Sequence, residues 1–189
     1  SPLVGEGWAA DLLAGMPDVT ARDGVVPAGF TATLRPYQRR GLGWLQGLRE
    51  LGLGGCLADE MGLGKTVMVL ALLDSRRLER QVAGQTRQAS VIVVPRSLVF
   101  NWRQEAERFT PDLRVLDLTR SDRRRAMSQI GEHDVVLTTY GTLRRDVGDL
   151  KDVVFDYVIL DEAQMIKNAR TSTAKSARLL RGAHRLALS

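Results

Sequence analysis

Asp59-Glu60-Met61-Gly62-Leu63-Gly64-Lys65-Thr66 directly follows the short apolar run Cys56-Leu57-Ala58 and precedes an apolar segment of helical character. Strand, glycine turn, Lys-Thr and helix, in that order, build a cradle for phosphate groups. Gly62 and Gly64 let the backbone turn tightly with its N–H groups pointing inward. The helix opening near Gly64 contributes its positive dipole end. Lys65 can reach the β- and γ-phosphates of a nucleotide, and the Thr66 hydroxyl can ligate Mg²⁺. The strict phosphate-loop pattern wants a glycine five residues before Gly64, where this chain has Asp59. A ligand-free turn has a similar composition, so the stretch needs a second element beside it.

Val158-Ile159-Leu160 supplies that element, an apolar run suited to a buried parallel strand and ending in Asp161-Glu162-Ala163-Gln164. Two adjacent carboxylates at the C-terminal end of such a strand stand where open α/β sheets bind ligands. In this pattern Asp161 holds Mg²⁺ through water and Glu162 polarises an attacking water as general base. An isolated Asp-Glu pair would read as a solvated strand end; the phosphate-loop stretch upstream changes that balance.

The rest of the chain supports an α/β domain. Its 189 residues are enough for one sizeable core, and 44% hydrophobic with 26% charged residues is ordinary for a globular protein. Strands are expected over 55–58, 90–94, 114–118, 134–138, 158–160 and 185–188. Helices are expected after Pro36, over 66–78, 98–109, 122–130 and 140–147, and through 172–181, with a polar loop at 81–88. This alternation predicts a mainly parallel central sheet with helices on both faces. Residues 1–32 read as a lead-in or linker, apart from a short helix at Trp8-Ala9-Ala10-Asp11-Leu12-Leu13. Cys56, the one cysteine, excludes a disulfide framework and is expected to fill the core. No apolar stretch approaches membrane-spanning length and no targeting pattern opens the chain, so the cytoplasm is the expected compartment and no membrane partner is expected. The net charge of +5 suits a polyanionic partner.

Seven stretches, in order, resemble the first RecA-like lobe of the Swi/Snf-type DNA translocases, a branch of the superfamily-two helicase-like ATPases. Besides the two above they are Leu34-Arg35-Pro36-Tyr37-Gln38, Val93-Val94-Pro95-Arg96-Ser97-Leu98 continuing to Asn101-Trp102, Thr138-Thr139-Tyr140, Ile166-Lys167-Asn168 after the acidic box, and Leu186-Ala187-Leu188-Ser189. The resemblance covers about residue 27 to the last residue. It implies a three-layer P-loop NTPase lobe over 33–189, truncated before a second lobe of the same polypeptide. It further implies ATP and Mg²⁺ as ligands, double-stranded DNA as a partner gripped by its phosphates, and remodelling of protein–DNA complexes in a bacterial nucleoid. Strand separation is not implied.

The same resemblance allots residues to roles. Arg35, Tyr37 and Gln38 face the adenine, Gln38 through a two-pronged hydrogen bond to its N7 and N6 edge. Asp59, Glu60, Met61, Gly62, Leu63, Gly64, Lys65, Thr66 and Gln164 surround the nucleotide; Lys65 and Glu162 are catalytic; Thr66 and Asp161 hold the metal. Ser97, Asn101, Thr138 and Thr139 meet DNA phosphates, with Ser97 equally readable as a helix N-cap. Trp44 and Trp102 read as core residues. The run Arg120-Ser121-Asp122-Arg123-Arg124-Arg125 reads as a solvated helix face, with a nucleic-acid patch as the alternative. His133 and His184 are isolated. Two other functions stay open, a strand-separating helicase lobe and a non-catalytic nucleic-acid-binding module. The arginine finger is expected on the second lobe, so the chain alone should bind ATP and turn it over poorly.

Overall fold

The structure, a computed structural model, describes residues 22–57, 64–166, 168 and 170–189. The readings made for Trp8 to Leu13, for Asp59, Glu60, Met61, Gly62 and Leu63, and for Lys167 lie outside the described residues. Helix α1 (Pro36–Glu50) leads to strand β1 (Gly55–Leu57), and α2 (Lys65–Val82) leads to β2 (Ser90–Val94). A 3₁₀ turn at Arg96–Leu98 runs into α3 (Val99–Phe109), followed by β3 (Val115–Asp117) and the single turn α4 (Arg123–Ala126). Then come β4 (Val135–Thr139), α5 (Tyr140–Leu150), β5 (Val154–Leu160), α6 (Ser172–Leu179) and β6 (Arg181–Leu188).

Among the described residues, six strands form one sheet in the order β1-β6-β5-β2-β4-β3, every neighbouring pair parallel. The central strands β2 and β4 are buried along their whole length, which is why they read as unbroken apolar runs. Their side chains alternate between two cores. Ile92, Val94, Val135 and Leu137 pack with Leu42, Met68, Leu72 and Trp102 under α1, α2 and α3. Val91, Val93 and Val136 pack with Leu143, Leu150, Ala177 and Leu180 under α5 and α6. Two helical layers around a parallel sheet is the expected three-layer arrangement.

The elements differ from expectation in instructive ways. Strand β5 starts at Val154 and β6 at Arg181, each four residues earlier than their apolar runs suggest. The early part of β5 contains Asp156, 1% exposed, which looks like a strand breaker. Its charge is matched by α2: Arg76 Nε and Nη2 donate to its two oxygens at 2.8 and 2.9 Å, and Arg80 lies at 3.4 Å. That clamp also accounts for α2 continuing to Val82 through part of the expected loop. The stretch 122–130 is one α turn followed by a 3₁₀ segment, Met127–Glu132, and Asp122 sits at the N-cap position without a side-chain cap bond. Within the arginine run, Arg123 donates to the buried Asp146 at 2.8 Å, while Arg124 and Arg125 are exposed. Cys56 is exposed and not in the core, because β1 is an edge strand of the sheet. Residues 22–32 lie across the helices: Val25 exchanges two 3.0 Å hydrogen bonds with the Gln46 side chain, and Thr31 N–H donates to Phe109 C=O at 3.0 Å.

Candidate functional site

Because all strands run the same way, every segment leaving a strand's C-terminal end emerges at one rim. Leu57 of β1 pairs with Leu188 of β6, and Leu160 of β5 pairs with Ala187. The ends of β1 and β5 therefore flank the same level of β6, about 10 Å apart given a strand spacing of ~4.8 Å. Beyond β5, Val93 pairs with Leu160 and with Thr138, so the starts of Pro95-Arg96-Ser97 and of α5 share the rim.

Lys65 opens α2. The helix N-cap is Gly64, in the left-handed region at φ +103°, and no side chain caps the helix. The first-turn N–H groups are thus available to an anion, and the left-handed turn favours glycine. A Cβ at Gly64 would also run into Gln38 Nε2 and approach Tyr37 OH to 3.2 Å. The structure in this way brings Tyr37 and Gln38 from the start of α1 to the start of α2. Gln38 is half-buried and its Oε1 accepts from Arg35 N–H at 2.8 Å, closing the first turn of α1. Arg35 and Tyr37 are exposed and Thr66 is half-buried. Lys65 Nζ donates to the carbonyl of Ser189, whose own N–H donates to Leu57 C=O at 3.2 Å.

The carboxylate of Asp161, 8% exposed, is held from two sides. Its Oδ1 accepts the Glu162 N–H at 2.9 Å and its Oδ2 accepts the indole Nε1–H of Trp102 at 2.8 Å. Tyr140 OH donates to the Asp161 carbonyl at 2.5 Å, and the Asp161 N–H donates to Val93 C=O at 2.8 Å. Burial pushes the Asp161 carboxyl above its usual range; the Trp102 indole, the Glu162 N–H and the Lys65 charge oppose the rise, while the Glu162 charge adds to it. Asp161 follows Leu160, which pairs with Ala187 of β6, and Lys65 reaches the carbonyl of Ser189 just past β6, so both stand at the same rim. Burial, helped by the charges of Asp161 and Glu162, raises the Tyr140 phenol, which stays a donor. Glu162 has φ +49°, the one non-glycine residue with positive φ among those described. Such a conformation costs about 1–3 kcal/mol and concentrates at functional sites. Gln164, exposed, donates through Nε2 to Glu162 Oε2.

Ser97 and Asn101 are exposed on the approach to α3 and on its first turn. Ser97 is not an N-cap: it lies inside the 3₁₀ turn, where Pro95 holds the capping position and no side-chain cap forms. The threonine hydroxyls differ from expectation. Thr138 is fully buried with its Oγ1 lacking a partner, and Thr139 is 4% exposed. The Thr139 hydroxyl caps α5, accepting from Thr142 N–H at 3.2 Å and donating to Thr142 Oγ1 at 2.9 Å. Alternation along β4 decides this, since both faces of the sheet are covered. Trp102, read only as core, is core and also a polar partner of Asp161; its helical position predicts burial, not the acceptor 59 residues away. Away from this rim, a cavity of about 850 Å³ is lined by Arg77, Arg80, Arg87 and Arg114. Three of these arginines pair with Asp74, Asp156 and Asp134, which leaves little free charge there.

Comparison with known proteins agrees with this layout. A family profile described as SNF2-related domain matches residues 37–189. YwqA of Bacillus subtilis, whose name proposes an ATP-dependent helicase/translocase, is 42% identical over 168 residues, covering 87% of this chain and 18% of that protein. The ISWI chromatin-remodeling complex ATPase ISW2 of Saccharomyces cerevisiae is 39% identical over 158 residues, 81% of this chain and 14% of the relative. A solved structure of the Sulfolobus solfataricus SWI2/SNF2 ATPase core in complex with dsDNA superposes with a TM-score of 0.78 at 38% identity, covering 87% of this chain and 33% of that one. The chain thus spans between about a seventh and a third of the length of these proteins, and its parallel sheet with two helical layers matches the RecA-like core of the solved one.

Proposed function

This chain belongs to the SNF2-related domain family, and we propose that it is the ATP-binding motor lobe of a DNA-dependent ATPase that translocates on duplex DNA and remodels protein–DNA complexes. What supports the proposal is that Lys65, bonded to the carbonyl of Ser189 just past β6, and Asp161 with Glu162, just past the neighbouring strand β5, stand at one rim of the sheet. Arg35, Tyr37 and Gln38 receive the adenine beside Gly64. By their motifs Asp59, Glu60, Met61, Gly62, Leu63, Gly64, Lys65, Thr66 and Gln164 are assigned to the phosphates. Lys65 neutralises charge on the β- and γ-phosphates, and Glu162 takes the proton of the attacking water into its carboxylate.

The residues also fit Mg²⁺. Among the described residues each Asp161 oxygen has one donor and keeps a lone pair. Thr66 and Asp161 would hold the ion, which when bound supplies Lewis-acid charge to the transferring phosphoryl group. Ser97 and Asn101 contact DNA phosphates at the same rim, with Thr138 and Thr139 shaping the neighbouring strand end. Such contacts position the protein without reading bases. The arginine that completes hydrolysis belongs to a second lobe of a longer polypeptide, so this chain by itself turns ATP over poorly.

The test is ATP hydrolysis by the full-length protein with and without duplex DNA. Lys65→Ala is expected to remove nucleotide binding or turnover. Glu162→Gln is expected to bind ATP and hydrolyse it at least ~100-fold more slowly, within the usual range for a lost general base. Equal turnover by Glu162→Gln would remove Glu162 from the mechanism. Duplex affinity should fall steeply with added salt as counterion release predicts, and efficient strand displacement would refute translocation without unwinding.

A further inference from the structure

Trp102 stands between two parts of the site that chemistry must connect. It follows Asn101 directly on α3, and one helical step of ~100° separates their directions. Asn101 and Phe100 are exposed, Phe100 at 71%, whereas Trp102 is 2% exposed. The first turn of α3 therefore has an outer face at the proposed phosphate contact and an inner face whose indole N–H reaches Asp161 Oδ2 at 2.8 Å. Packing alone does not call for tryptophan, since a phenylalanine could occupy most of the same apolar space. What the indole adds is a single donor, and burying it requires an acceptor. That acceptor is the carboxylate proposed to hold the metal, whose other oxygen is bonded, among the described residues, by the adjacent Glu162 N–H. The Trp102 bond is thus the contact that ties this carboxylate's orientation to a different element of the fold.

We propose that Trp102 is a positioning residue that couples DNA to nucleotide: phosphate contact at the start of α3 is transmitted through the indole N–H to the orientation of the Asp161 carboxylate. A duplex pressing on Ser97 and Asn101 shifts α3 by a fraction of an ångström, and the rigid indole carries that shift to Asp161 Oδ2. Metal-dependent nucleotide affinity then depends on DNA, and by linkage DNA affinity depends on nucleotide by the same factor. This rests on the proposed nucleotide and DNA sites, and the test separates its failure from theirs.

The experiment measures Mg²⁺·ADP affinity by calorimetry with and without a plain duplex oligonucleotide, in the full-length protein and its Trp102→Phe variant. Coupling factors of about 5–150 are typical of linked sites. The wild type is expected to fall in that range, and Trp102→Phe to lose Mg²⁺·ADP affinity chiefly when duplex is present, so that its coupling factor approaches one. An unchanged coupling factor in the variant overturns the proposal. So does an equal loss of Mg²⁺·ADP affinity with and without DNA, which would make the indole a static anchor. A wild type that binds neither ligand removes the underlying sites and the proposal with them. Should Trp102→Phe fail to fold, the indole ¹⁵N–¹H resonance of Trp102 in the wild type, assigned through its sequential connectivity to Asn101 and Arg103, decides the question. It should shift when duplex is added without nucleotide, and a resonance indifferent to DNA refutes the link.

Discussion

Asp156→Ala is the sharpest test of what aligns the site. Asp156 lies on β5 five residues before Asp161, and its partner Arg76 lies on α2, the helix that starts with Lys65. The two-point bond between Arg76 and Asp156 therefore fixes how the lysine-bearing helix sits on the acid-bearing strand. Removing the carboxylate leaves the Arg76 guanidinium, whose side chain is only 15% exposed, without its main acceptor. Breaking a buried pair from one side costs about 3–5 kcal/mol, mostly through the abandoned charge. For a domain of this length that is a fall of about 6–20 °C in Tm. Burial raises the Asp156 carboxyl, but the Arg76 hydrogen bonds and the Arg76 and Arg80 charges outweigh it, so the group is lowered from 3.8. An acid whose folded value is depressed stabilises the fold fully above its unfolded value, and that contribution is lost as pH falls through the folded value. The difference between wild type and variant should hold from pH 7 to pH 5 and narrow only below about pH 4. Chemical denaturation across that range reads it directly. A difference under about 1 kcal/mol at pH 7, the level of an exposed pair, or one that stays constant down to pH 3, would refute the reasoning.

Two further substitutions examine the rim itself. Gly64→Ala places a Cβ at φ +103° against Gln38 Nε2 and Tyr37 OH; it should cost about 1–3 kcal/mol in stability, seen in thermal melts, and weaken nucleotide binding by displacing the start of α1. Thr139→Ala deletes the acceptor for Thr142 N–H and should lower stability by about 0.5–2 kcal/mol, whereas a Thr139→Ser variant, which keeps the oxygen, should lose far less.

The parts of this protein that were legible in its sequence are those decided by local rules. The central strands β2 and β4, and the end of β5, announce themselves as apolar runs, because a parallel strand covered on both faces has no polar side to show. The phosphate-loop and acidic motifs could be assigned to strand ends for the same reason. What escaped depends on strand order and on partners far along the chain. Cys56 lies in an apolar run and yet is exposed, since nothing in Gly55-Cys56-Leu57 says that β1 is an edge. Val154 to Tyr157 did not read as strand because the cost of burying Asp156 is offset by arginines 76 residues or more away. Thr139 looked like a ligand residue at a strand end, but the next helix begins at once and takes its hydroxyl as a cap.

Trp102 shows the same division inside the site. Helical spacing places it on the apolar face of α3, and that inference holds, but periodicity describes faces and is silent about single polar atoms. A buried indole must still satisfy its N–H, and the acceptor it reaches at this rim is the Asp161 carboxyl. The residues that perform a reaction can thus be found from motifs, while those that orient them are found by asking where each buried donor goes. At this rim that question leads from α3 to Asp161 in one bond, which is why the acid proposed to hold the metal and the helix proposed to face DNA are expected to respond to one another.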